Sequence, residues 1–169
     1  MNTPEFNRLD KYVPLFNEWL LGDASAVQFV VRVFRALHVW DDLVDRDKPI
    51  TDDEINSVFW DLLVVLPTDP FYTKNIVLLN STLVNAIINW HIANKLEREG
   101  DDKDKSIAFI LRGAYIDLLS ASAFVVGGMD WMNVVGPAIR RWAHEETFDQ
   151  YVENLRIECE ARDANTKQI

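Results

Sequence analysis

The chain predicts an all-α fold: a single-domain bundle of about six helices spanning residues 1–169. Apolar residues recur with a helical period in nearly every segment, no hairpin dipeptide separates alternating runs, and the connections are short. Thr3-Pro4 resembles a cap followed by a first-turn proline and opens a helix to about Leu21. Gly22-Asp23 breaks and recaps the chain. The second helix, Ala24 to about Asp45, sets Val30, Val33, Leu37, Trp40 and Val44 along one stripe. Pro49 closes that unit, and TDDE (Thr51 to Glu54) is a capping box for a third helix to about Leu66.

Pro67 to Pro70 forms a rigid turn. A long fourth helix then carries Ile76, Leu79, Leu83, Ile87 and Trp90 until Gly100 stops it. GDDKDK (Gly100 to Lys105) reads as a solvated loop. The fifth helix, about 106–126, is apolar almost all round, which places it at the centre, and Gly127-Gly128 ends it. A last helical region, broken near Gly136-Pro137, reaches about Arg162, and residues 163–169 read as a frayed tail.

Composition narrows the function classes. The chain is 49% apolar and 26% charged, which suits a packed globular core rather than disorder. A net charge of −10 argues against nucleic acid and against an anionic membrane surface as partners. The single cysteine, Cys159, rules out an internal disulfide and a thiolate zinc cluster. The N-terminus shows no signal pattern, and the apolar run nearest to a membrane span, about Ile107 to Gly128, is interrupted by Arg112 and Asp117. The expectation is a soluble cytoplasmic protein without a membrane span; a homo-oligomer is compatible with the sequence but not readable from it.

The chemistry concentrates in RALHVWDDLVDRDKP, Arg35 to Pro49, where a helix ends on four aspartates. A helix C-terminus carries partial negative charge, so acids there are misplaced unless something compensates them. Asp41 and Asp45 extend the helical row Val27, Phe34, His38 and stand one turn apart at the edge of the core; Asp42 lies about 100° round, near Arg35. A divalent cation would remove the repulsion, and all-oxygen ligands suit magnesium or manganese. Pairing with Arg35, Lys48 or a basic residue from elsewhere, or plain solvation, would serve as well.

Asp117, on the apolar fifth helix, is a candidate general base or further ligand, or else a salt-bridge partner. Near the C-terminus Asn154 and Glu158 share a helix face, with Arg156 and Arg162 nearby. That face is either a second metal-binding surface with arginines for phosphate or an exposed helix laced with salt bridges. Calcium-loop, zinc-protease, di-iron, phosphate-loop and nucleophile-elbow motifs are all missing.

Three stretches together carry a family resemblance: RALHVWDDLVD (Arg35 to Asp45), YIDLLSASAFVVGG (Tyr115 to Gly128) and NLRIECEARD (Asn154 to Asp163). The chain resembles the isoprenoid synthase fold, in particular squalene and phytoene synthases. The resemblance implies that Asp41, Asp42 and Asp45 from a first acidic cluster, and Asn154 and Glu158 from a second, hold magnesium ions that bind a prenyl diphosphate. The departures are a shorter chain, a glutamate-rich second cluster, and Arg162 near an expected acid. The expected function is therefore metal-dependent binding or turnover of a diphosphate-bearing small molecule. Magnesium or manganese would serve as Lewis acid, Arg35 and Arg156 as anion partners and Asp117 as base. The chemistry would be transfer or diphosphate hydrolysis. The rival expectation is a non-catalytic helical interaction or accessory protein, of the kind carried by viruses and mobile elements. Its contact surface would lie around Met129 to Trp142, unless those bulky groups simply pack the core.

Overall fold

The computed structural model describes residues 9–45 and 48–166, and every regular element among them is helical. A 3₁₀ turn, Asp10–Tyr12, leads into α1 (Val13–Trp19); the expected opening at Thr3-Pro4 lies outside the described residues. α2 (Ala24–Asp45) begins where Asp23 Oδ1 accepts the Ala26 N–H at 3.0 Å. α3 (Asp52–Trp60) starts on a capping box: Thr51 Oγ1 accepts the Glu54 N–H and Glu54 accepts the Thr51 N–H. Each bond satisfies an amide that the first helical turn cannot.

α3 then runs through a π-helical turn, Asp61–Val65, and a 3₁₀ turn, Leu66–Thr68. Asp69 caps the short α4 (Pro70–Lys74), and its carboxylate also receives Arg32 Nη1 at 2.8 Å. α5 (Ile76–Glu99) ends at Gly100.

Several connections differ from the sequence expectation. GDDKDK is not a loop: Asp101 caps α6 (Asp102–Arg112) in a second capping box, with Asp104 accepting back. A run of charges looks solvated, yet aspartates in a first turn favour a helix by facing its positive pole. The fifth helix is also divided. A 3₁₀ turn, Gly113–Tyr115, separates α6 from α7 (Ile116–Ala143). Gly128 kinks α7 (φ 72°, ψ −172°), a conformation open only to glycine, but helix resumes at once and passes through Pro137 without the expected break. α8 (Phe148–Thr166) then extends through part of the expected tail; residues 167–169 lie outside the described residues.

The core joins Phe16, Phe29 and Phe34 with Leu79 of α5 and Ile116, Leu118, Leu119 and Ile139 of α7, all fully buried. The first half of α7 thus takes the central place, whereas α6 buries only Ala108. Trp142 packs edge-on against Tyr12, Phe16 and Trp19, and Trp131 Nε1 donates to the Trp19 carbonyl at 2.8 Å. Those two tryptophans therefore belong to the interior, leaving Met129 and Val134 outside.

With true helix boundaries, two segments are long and apolar enough to cross a membrane by length and composition alone: α5 and the α6–α7 stretch. This corrects the reading of interrupted runs, since a membrane-length window tolerates one or two charges. Buried core helices meet the same criterion, so the property assigns no membrane. Burial still distinguishes the two: 39% of the α6–α7 window is buried and only 17% of the α5 window.

Candidate functional site

The C-terminal half of α2, the facing side of α5, the α6–α7 junction and the start of α8 enclose a cavity of about 270 Å³. Trp40 and Trp90 pack against each other in its wall, with ring centroids 4.6 Å apart and planes inclined by 37°. At the junction the His144 ring lies so close to Gly113 that a Cβ there would come within 2.9 Å of it. The missing side chain lets the C-terminal end of α7 settle against that junction through the imidazole.

Arg112, in the last turn of α6, organises the polar wall. A cation suits that position because it faces the negative pole of its own helix. Its Nε and Nη2 grip Glu97 at 2.7 and 2.5 Å, Nη2 also donates to Asn94 at 2.7 Å, and Nη1 donates to Asp41 at 3.0 Å. Asp45 lies 3.9 Å from Nη2 and also takes Arg98 at 3.4 Å. Asp41 accepts a second bond from Trp90 Nε1 at 2.8 Å, and the Tyr151 hydroxyl of α8 donates to Glu97. The forked guanidinium thus ties α2, α5 and α6 together, and Tyr151 fastens α8 to the same group.

Burial opposes the charge of Arg112, but the Glu97 hydrogen bonds and the charges of Glu97, Asp41 and Asp45 outweigh it and raise the guanidinium above its ordinary value. Burial, then the Glu97 bond, raises the Tyr151 phenol; burial, then the Asp41 charge, raises Tyr115. All three keep their protons throughout the neutral range.

The aspartates at the wrong end of α2 are therefore compensated from a distance. The basic residue from elsewhere is Arg112, 71 positions beyond Asp41. Asp42 pairs with Lys48 at 3.3 Å and does not line the cavity. Arg35 lies 4.0 Å from Asp61, the first residue of the π-helical turn after α3, and does not line the cavity either. Asp117 is ion-paired with Arg140 on its own helix, away from the cavity. Arg156 binds Glu153 and Glu160 on the exposed side of α8, at 2.6 and 2.5 Å. Asn154 and Glu158, in contrast, line the same cavity as Asp41 and Asp45; Asn154 Nδ2 donates to Glu146 there at 3.0 Å. His38 also lines it. Its Nδ1–H donates to the Phe34 carbonyl at 2.7 Å, so in the neutral ring Nε2 carries the lone pair.

The donor chemistry of Asp41, Asp45, Asn154 and Glu158 is all oxygen, as a hard divalent ion prefers. The spacing does not fit a resident ion. Among the described residues no group of three or more His, Cys, Asp or Glu side chains is gathered to hold one, and the cation between the α2 carboxylates is Arg112.

Sequence reasoning passed over Arg112, Trp90, Asn94, Glu97 and Tyr151. Two signals mark them. Trp90, Asn94 and Glu97 form an i, i+4, i+7 polar row on one face of α5, and Arg112 is a lone arginine in an apolar run, which demands a partner. No family model, curated protein or solved structure matches this chain.

Proposed function

We propose that the cavity between α2 and α8 binds a small diphosphate-bearing molecule as its magnesium or manganese complex, the ion arriving with the ligand. One observation supports this reading above the others: Asp41 and Asp45 of α2 and Asn154 and Glu158 of α8, more than a hundred residues apart, line a single cavity with Arg112 in its wall. Asp41, Asp45, Glu146 and Glu158 outnumber the lining cations Lys48 and Arg112, so a bare diphosphate would be repelled. A metal diphosphate reverses that balance, because its ion faces the carboxylates while its phosphate oxygens can take the guanidinium donors of Arg112. Trp40, Trp90 and Tyr115 supply apolar wall for the organic part of such a ligand.

The test is a melting experiment with inorganic pyrophosphate as probe. Magnesium and pyrophosphate together should raise the melting temperature by a few degrees, as expected for a ligand at many times its Kd. Either component alone should leave it unchanged, and Asp41→Asn/Asp45→Asn should abolish the rise. An equal rise in wild type and variant, or none in wild type, rules the proposal out.

A second reading has its own observation. The end of α3, the π-helical turn and α5 leave Phe59, Trp60, Leu63, Val64 and Val77 exposed, the last at 82%. An apolar surface of that kind favours an interaction or accessory protein. Sedimentation at increasing concentration addresses it: a monomer at all concentrations excludes self-association through this face.

A further inference from the structure

We propose that Arg112 is the cavity's built-in counter-ion. In the unliganded protein it takes the place a divalent cation would hold between Asp41 and Asp45, so a free cation is not admitted there. Only a ligand whose phosphate oxygens attract the guanidinium releases the two carboxylates for the ion it brings. This last step rests on the function proposed above; the exclusion of free metal does not.

The geometry divides the guanidinium into two parts. Nε and Nη2 hold Glu97 through paired bonds of 2.7 and 2.5 Å, deep in the wall, where the Glu97 side chain is 6% exposed. Toward Asp41 there is one bond, Nη1 at 3.0 Å, and toward Asp45 only the longer approach of 3.9 Å. The Glu97 pair is the anchor and the Asp41 bond the exchangeable contact. Arg112 can therefore keep its anchor while Nη1 changes partner from a carboxylate to a phosphate oxygen, both of which the fork accepts.

Two features bar a bare ion. Asp41 Oδ1 is already the acceptor for both Arg112 and Trp90 Nε1, and a dication placed there would face the guanidinium at close range. Asp41 is the more exposed of the pair, at 45% against 14% for Asp45, so the carboxylate with the exchangeable bond is also the one open to an incoming ligand. Arg112 is thus a positioning residue. It preforms the α2 carboxylate pair without metal and sets an order in which cation and anion enter together.

The decisive measurement is manganese binding to the full chain with no phosphate compound present, read from the spin-resonance signal of free Mn²⁺. Wild type should leave the signal undiminished at tens of micromolar protein. Arg112→Gln should withdraw about one ion per chain, and adding Asp41→Asn to it should restore the signal. Arg112→Gln leaves Glu97 without its cationic partner and can fail to fold. The paired variant Glu97→Gln/Arg112→Gln removes both charges and keeps Asp41 and Asp45, and it should also take up one ion. Uptake by wild type, whatever the variants do, or no uptake by either folded variant, overturns the proposal. The two readings fail separately: if magnesium pyrophosphate does not stabilise wild type but the variants bind manganese, the function falls and the counter-ion role stands.

Discussion

The two acidic segments of this protein, the end of α2 and the face of α8, carry similar side chains and opposite kinds of pairing. Asp41 and Asp45 are bound by residues from α5 and α6, and the bonds close over 49 to 71 positions of sequence. Glu153 and Glu160 are bound by Arg156 within their own helix, three and four residues away, in full contact with water. The first arrangement holds three helices to one another; the second holds α8 only to itself. Charged residues that read alike in sequence therefore differ in what they stabilise, and the difference follows from whether the partner is local.

The largest effect should come from cutting the long-range network at its centre. Arg112→Met leaves Asp41 and Glu97 facing each other across a partly buried gap. It should cost about 3 kcal/mol of unfolding free energy in urea, the low end for an unpaired buried charge because the site is not fully dry. A loss too small to measure would reduce the α2 network to the status of the α8 pairs. Tyr151→Phe comes next. It removes one hydrogen bond to a charged acceptor and should cost about 2 kcal/mol, with α8 amides exchanging faster than those of α2. Trp90→Phe removes a single donor to Asp41 and should cost about 1 kcal/mol. Arg156→Ala should leave the melting temperature where it is, since exposed pairs on one helix contribute little; a clear fall would show that α8 is held through its outer face.

Alkaline pH sharpens the same contrast. Tyr151 and Tyr115 both have raised pKa values in the folded chain, so above pH 10 the unfolded state gives up protons that the folded state retains. Stability is therefore full below about pH 10, the ordinary phenol value, and falls as pH rises beyond it. Tyr151→Phe should flatten that decline in urea titrations between pH 9 and 11. An unaltered slope would detach Tyr151 from the effect.

Much of the frame was legible in the residues. Asp23, Thr51 with Glu54, and Gly100 mark helix ends through bonds that form within a few positions: α2 and α3 start, and α5 stops, where those residues stand. The errors arose where local cues were ambiguous. Asp101 to Lys105 has the composition of a loop and the capping pattern of a helix, and Gly127-Gly128 suggested an end where the chain only bends. For the site, the row containing Asp41 and Asp45 was readable from helical spacing alone, as was the shared face of Asn154 and Glu158. That these two faces line one cavity, while Asp117, Arg35, Arg156 and Asp42 do not, was not.

The sequence by itself determined the helical class, the caps, the misplaced acids and their need for a compensating charge, because each depends on spacing along one helix. Only the tertiary structure decided that the compensating cation is Arg112, anchored by Glu97 and shared with Asp41 and Asp45. The physical reason is that an ion pair depends on separation in space. The folding of α2, α5 and α6 against one another sets a separation that no interval in the sequence records.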